Sequence, residues 1–284
     1  MKSLRESLLL IAIGVAVLAG DATAGVVVHT ESEAPKGGAK DAKPRYQGEF
    51  YVEGDRVRLQ GTSREADGVA EGTVLFRPKP EALIFLDANE KSYMEMTRDD
   101  AKRIGASIEA ARSQMAAQLD KMTPEQRAIV EQAMAGVGGV GKGPKPKKAH
   151  EPAKATATGA SDKVGEWTCK VYDVSRGTTK IAEACVASWG DLGFTQADVD
   201  GLRKLSAFQH QLFTEVNVEG FDAAPGTEAF EVMDQVQGFP VRVRTVATKQ
   251  PLAMHVVKVE RKPLDAKLFE VPAGYTKRAM DEEE

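Results

Sequence analysis

In QGEFYVEGDRVRLQG, residues 47–61, two runs of alternating polar and apolar residues flank Gly54-Asp55, a dipeptide suited to a tight turn. The segment therefore reads as a β-hairpin. Alternation at a period of two gives each strand one wet and one buried face. GVVVHTE (25–31) precedes it as a strand, and GTVLFRP (72–78), ALIFLD (82–87) and KSYMEM (91–96) follow, the last two joined by Ala88-Asn89-Glu90. Leu83-Ile84-Phe85-Leu86 is apolar on both faces, which predicts a place at the centre of the sheet beneath a helix.

Thr97-Arg98-Asp99-Asp100 then predicts a helix start, because the threonine hydroxyl and the acid three residues on can satisfy the first backbone donors. Ile104, Ile108, Ala111, Met115, Leu119 and Met122 follow at spacings of three and four, one apolar face. A second box, Thr123-Pro124-Glu125-Gln126, predicts another helix with proline at its first position.

Composition changes between Gly136 and Lys163. The segment holds no aromatic residue, and its six lysines against Glu151 and Asp162 give it a charge of +4 out of a total of −4. Such a stretch cannot bury enough surface to offset the entropy of ordering it. It reads as a flexible Lys/Gly/Pro-rich linker over 136–163.

Beyond it, WTCKVYDV (167–174) and TKIAEACVAS (179–188) form a second hairpin about Ser175-Arg176-Gly177-Thr178. A turn centred on Gly177 sets Cys169 directly opposite Cys185, close enough for a disulfide. Two free buried thiols are the alternative. Thr195-Gln196-Ala197-Asp198 caps a further helix whose inner face carries Val199, Leu202, Leu205, Phe208 and Leu212. Four extended segments close the chain: EAFEVMDQV (228–236), FPVRVRTVA (239–247), AMHVVKVER (253–261) and KLFEVP (267–272). In the second, Val241, Val243 and Thr245 alternate with Arg242 and Arg244, so the arginines are expected to face solvent. The whole is α+β: about a dozen strands, three main helices, and mostly antiparallel neighbours because few strands are separated by a helix.

The first 24 residues have the form of an export signal. Lys2 and Arg5 give a positive start, Leu8 to Ala19 is an apolar run of twelve, and Ala22-Thr23-Ala24 is a small-x-small cleavage pattern, so the mature chain is expected to begin at Gly25. Twelve residues are too few to cross a bilayer, which takes about 20. The expected location is periplasmic, with release outside the cell as the alternative. No later segment is long and apolar enough to span a membrane, and residues 277–284 read as a charged tail.

Motifs of chemistry are sparse. Gly136-Val137-Gly138-Gly139-Val140-Gly141 matches a dinucleotide fingerprint, but a helix precedes it and Pro144-Lys145-Pro146 follows, the reverse of the strand-then-helix setting that phosphate binding needs. His29, His150, His210 and His255 are scattered without ligand spacing, and Met94 with Met96 on one strand face is the only hint of a soft metal, more simply read as core. There is no G-x-S-x-G elbow. The expectation is accordingly no catalytic, cofactor or metal residue, no nucleic-acid partner and no enzyme. Phe50, Phe76, Phe85, Trp167, Trp189 and Phe208 could line a cavity for an apolar ligand or simply fill the core.

Gly238-Phe239-Pro240-Val241, Val257-Lys258-Val259-Glu260, Pro263-Leu264-Asp265 and Phe269-Glu270-Val271-Pro272-Ala273-Gly274-Tyr275 together resemble the closing pattern of an uncharacterised exported bacterial family, domain-of-unknown-function family 4412. Their order is also similar to that of periplasmic lipoprotein carriers of the LolA and LolB type. The resemblance, most specific over 165–277, implies a half-open antiparallel barrel wrapped around helices, with an apolar concavity that receives acyl chains. It implies a single domain, 25–276, in two halves (25–135 and 164–276) with the linker as an insertion. The expected function is a carrier or binder of a lipid or lipoprotein acyl group without chemistry. The alternative is an envelope interaction module whose barrel is filled by its own side chains and whose partner is another protein.

Overall fold

The structure, a computed structural model, describes residues 24–33, 44–65, 68–123, 126, 152–216, 233, 235–246 and 252–279. The twelve strands found there form one open sheet. They are β1 (Ala24–Ser32), β2 (Tyr46–Glu53), β3 (Arg56–Glu65), β4 (Gly68–Pro78), β5 (Glu81–Asp87), β6 (Ser92–Met96), β7 (Lys154–Val164), β8 (Trp167–Arg176), β9 (Thr179–Ala187), β10 (Phe239–Thr245), β11 (Ala253–Pro263) and β12 (Thr276–Lys277). Their order is β12-β6-β5-β4-β3-β2-β1-β11-β10-β9-β8-β7, antiparallel except for the short parallel pair β12–β6. The early and late strands meet where β1 lies between β2 and β11. Two α-helices are present among the described residues, α1 (Arg98–Leu119) and α2 (Gln196–Val216). Residues 1–23, most of the expected linker, most of 228–236 and the tail beyond 279 lie outside the described residues.

The hairpin of residues 47–61 forms as its alternation requires, with Glu53 facing Arg56 across Gly54-Asp55 and Gly54 at φ +57°. Its turn is also where α2 docks. A Cβ on Gly201 would come within 2.0 Å of the Gly54 carbonyl oxygen, so glycine in the first turns of α2 is what lets the helix sit on the hairpin. Val199, Leu202, Leu205, Phe208 and Leu212 are all buried, as the spacing predicts, and each fully buried side chain of this size stabilises the fold by about 1.5–3 kcal/mol. Helix α1 starts with the predicted Thr97–Asp100 box and rests on α2 through Gly105, which lies against the Glu215 backbone. Its apolar face is shorter than expected: Ala101 and Leu119 are buried, Ile104 and Ile108 partly so, Ala111 is exposed, and the helix stops before Met122. Thr123 and Gln126 exchange the hydrogen bonds of the second box, and Gln126 is helical; the rest of the expected helix lies outside the described residues.

Several sequence expectations are corrected. The predicted linker reaches only as far as residue 153 within the described part, because Lys154–Val164 pairs with β8 and becomes the edge strand β7. Cys169 and Cys185 are bonded, with Cα atoms 5.3 Å apart, but they are not ladder partners. The turn is Gly177-Thr178 and an irregularity follows between Val174 and Ser175, so Cys185 faces Val171 and the bridge runs diagonally. Strand β5 is third from one edge rather than central. Burial along β10 alternates as expected, with Val241, Val243 and Thr245 buried, but a bulge at Val241 splits them: Val241 joins the main core while Val243 joins a second cluster with Val174, Ala182, Ala184 and Val186. Arg242 is not left to solvent; only 10% of its side chain is exposed, and it pairs with Asp162 at 2.7 Å. KLFEVP is not a strand: Ala266–Phe269 is a short 3₁₀ turn capped by Asp265. Met233, Gln235 and Val236 of EAFEVMDQV are turn and bend rather than strand.

The closing motif serves the outer face. After β11 the chain crosses that side of the sheet, with Leu264 against Gly25 of β1, the Leu268 carbonyl accepting from Arg58 of β3 at 3.1 Å, and the Phe269 ring under the Arg56 guanidinium at 4.9 Å. It ends as β12 alongside β6. On this face the ladders align Val27, Leu75 and Ile84, all buried, and it is this strap, not a helix, that packs on β3 and β4 there.

Candidate functional site

The inner face of β1–β6 presents successive cross-strand rows fixed by the ladder register. One row runs Val26, Val52, Val57, Phe76, Leu83, Met96, every member buried. Helix α2 lies over it, with the Phe208 and Phe76 rings 5.8 Å apart and exposed by 1% and 2%. The next row, two residues along each strand, is just as apolar: Val28, Phe50, Leu59, Val74, Phe85, Met94. Val28 is sealed, but Phe50, Leu59, Val74 and Phe85 are only partly buried and Met94 is 41% exposed. Two residues further along lie Thr30, Gly48, Gly61 and Gly72. A Cβ on Gly72 would meet nothing within 4 Å and one on Gly61 only the Gln47 carbonyl at 3.4 Å, whereas one on Gly48 would meet the Thr30 hydroxyl at 2.9 Å, so Gly61 and Gly72 leave a bare shelf beside the open apolar row.

The six aromatic residues of the candidate cavity therefore divide. Phe76 and Phe208 belong to the sealed row and its helix, and Trp167 is buried near the disulfide. Phe50 and Phe85 stand in the open row. Trp189 packs edge-on to Phe194 and Phe239, and Phe239 meets Phe50 at 6.2 Å, so an aromatic cluster closes the Phe50 end. All six contribute to one hydrophobic cluster, yet only the last three border exposed surface. Sequence reasoning missed Leu59, Val74, Met94, Phe194, Phe239 and the glycine shelf. The register implied by the Gly54-Asp55 turn already pairs Phe50 with Leu59 and Gly48 with Gly61, and that was the available signal.

Asp198 is the polar node that fixes α2 against the hairpin. It is buried, accepts from the Gly54 amide at 3.0 Å, pairs with Arg261 of β11 at 3.0 Å, and completes the Thr195 box at 2.7 and 2.9 Å. Burial works to raise its pKa, but the hydrogen bonds from Thr195, Arg261 and Gly54 outweigh it and hold the carboxyl below the usual range.

On the outer face, His29 stands between two carboxylates, Nδ1 at 2.9 Å from Glu49 and Nε2 at 3.2 Å from Glu260. Glu49 also accepts from Tyr51 at 2.6 Å and from Gln60, whose own oxygen accepts from Arg58 at 3.0 and 3.1 Å. Burial and the Glu49 hydrogen bond push the Tyr51 phenol up to about 12, while hydrogen bonds from Lys258, Lys262 and His29 hold Glu260 down at about 2. These shifts carry Tyr51 and Glu260 away from neutrality, the opposite of a matched acid–base pair. The network stitches β1, β2, β3 and β11 together. Among the described residues no group of three or more His, Cys, Asp or Glu side chains could hold a metal ion, and no helix is long and apolar enough to cross a membrane.

Residues 141–275 match the model of a family described as "Domain of unknown function (DUF4412)". The match takes in β7 to β11 and the strap, and it begins within the stretch that composition alone read as linker. No curated protein matches the chain. A solved structure described as "Structure of PNGF-II in C2 space group" is similar at a TM-score of 0.38 and 9% identity, over 91% of this chain and 31% of that one. The chain thus spans about a third of that protein's length, and a likeness of this degree carries no argument about function.

Proposed function

We propose that the protein is exported and that it binds an apolar ligand along the open inner row, by burial and without chemistry. The observation that carries this reading is the juxtaposition of Phe50, Leu59, Val74, Phe85 and Met94 with the Gly61–Gly72 shelf. Apolar side chains in register across five strands, beside a wall stripped of side chains, make a shallow trough into which a long thin molecule fits. At an inter-strand spacing of about 4.8 Å the row from β2 to β6 extends about 19 Å. That is a length suited to an acyl chain, the ligand class that the resemblance to the lipoprotein carriers implies. Export is supported by the signal-like first 24 residues.

A second reading is favoured by α2, whose inner residues fill the concave side over the neighbouring row: a self-filled sheet that recognises another envelope protein. Organic extraction of the mature chain, purified without detergent and read by mass spectrometry, separates the two. A stoichiometric lipid is expected from the first reading. An empty protein that also fails to bind an apolar fluorescent dye overturns it and leaves the second.

A further inference from the structure

Trp189 carries a buried polar atom that its surroundings do not use. Its Nε1–H has no hydrogen-bond partner, although a buried indole usually finds one. The ring lies edge-on to Phe194 and Phe239, at 5.4 and 6.1 Å, and Phe239 in turn meets Phe50, the last partly exposed member of the open row before sealed Val28. The donor thus lies two ring contacts beyond Phe50, next to Phe239 and Phe194, which are buried, while Phe50 and Trp189 itself are only partly buried. Leaving it unpaired costs stability in the empty protein, and an acceptor brought in by a ligand removes that cost. We propose that Trp189 Nε1 donates to an acyl carbonyl or carboxylate oxygen, so that the ligand is an amphiphile lying with its tail toward Met94 and its oxygen-bearing end at Trp189. This rests on the apolar-ligand reading and adds polarity and direction to it.

The hydrogen bond predicts discrimination that burial alone does not give. The full mature chain should bind palmitate and methyl palmitate about tenfold more tightly than hexadecane, measured by displacement of an apolar dye. Trp189→Phe should abolish that preference by weakening the two oxygen-bearing ligands about tenfold more than hexadecane. A fatty acid and an ester are separated by their ratio: preference for palmitate alone identifies a free carboxylate, and equal binding identifies the carbonyl of an ester or amide. An independent readout in the native chain is the indole N–H resonance of Trp189, assigned with Trp167→Phe, which should shift downfield with palmitate and not with hexadecane. Equal weakening of all three ligands by Trp189→Phe, or an indole signal unmoved by palmitate, overturns the assignment while leaving apolar binding intact. Failure of the native chain to bind any of the three overturns the apolar-ligand reading and this assignment together.

Discussion

Two neighbouring rows on the inner face of β1–β6 have nearly the same chemistry and opposite fates. Val26, Val52, Val57, Phe76, Leu83 and Met96 are sealed, while Phe50, Leu59, Val74, Phe85 and Met94, two residues along the same strands, border open surface. The difference is made by α2, which is pinned at its start by Asp198 to the Gly54 turn and to Arg261. That anchorage sets which row the helix covers. Apolar alternation therefore marks the inner face of a strand, and the anchoring of the helix decides which part of that face becomes core.

The largest expected effect tests the sealed side. Phe208→Ala should lower unfolding free energy by about 3–5 kcal/mol in denaturant titration, since the cavity opens against Phe76 under a helix that cannot collapse. Phe85→Ala in the open row should cost well below half of that, and equal costs would erase the distinction between the rows. Removing the crosslink by Cys169→Ser with Cys185→Ser should cost about 3 kcal/mol in the chain-entropy account, from a region that neither row includes. Dye binding at the open row should survive that change. Thiol titration of denatured, unreduced protein should find no reactive thiol at either position.

Asp198→Asn should cost about 2 kcal/mol, because it leaves Arg261 and the Gly54 amide with a weaker acceptor. The sign with pH follows from its depressed folded pKa. The stabilisation is present above the unfolded carboxylate value of about 3.9 and is lost as pH falls below that through the lower folded value. Acid titration of stability should therefore flatten in that window in the Asn variant; an unchanged acid limb would separate Asp198 from the anchorage of α2. The smallest stability effect is expected at the shelf. Gly72→Leu places its Cβ in open space and should leave unfolding within about 0.5 kcal/mol, while it fills the proposed trough and weakens dye binding at least fivefold. Undiminished binding would move the ligand off the shelf.

Much of this architecture was legible in local patterns. The hairpin at 47–61, the Thr97 and Thr195 boxes and the inner face of α2 follow from periodicity and from short-range hydrogen bonding, which act within a few residues. What was misread shares a different cause. Val241 is a bulge, Cys185 is displaced from its expected partner, and Lys154–Val164 is a strand despite a composition poor in bulky residues, because neighbouring strands supply pairing that local propensity does not encode. The FEVPAGY motif was the most recognisable part of the chain. Its place as a strap across β3 and β4, ending beside β6, depends on strands more than 180 residues away.

By itself the sequence determined an antiparallel sheet of about a dozen strands, the capped starts of α1 and α2 among the three helices expected, and a crosslink between Cys169 and Cys185. Those features arise from turns, caps and alternation, each of which needs only near neighbours along the chain. Tertiary structure alone decided that one apolar row is core while the next borders open surface, that Gly61 and Gly72 align beside it, and that Trp189 joins the aromatic cluster next to Phe50. These depend on ladder register and helix anchorage between distant segments, where a shift of one residue would turn every side chain of a strand to the other face.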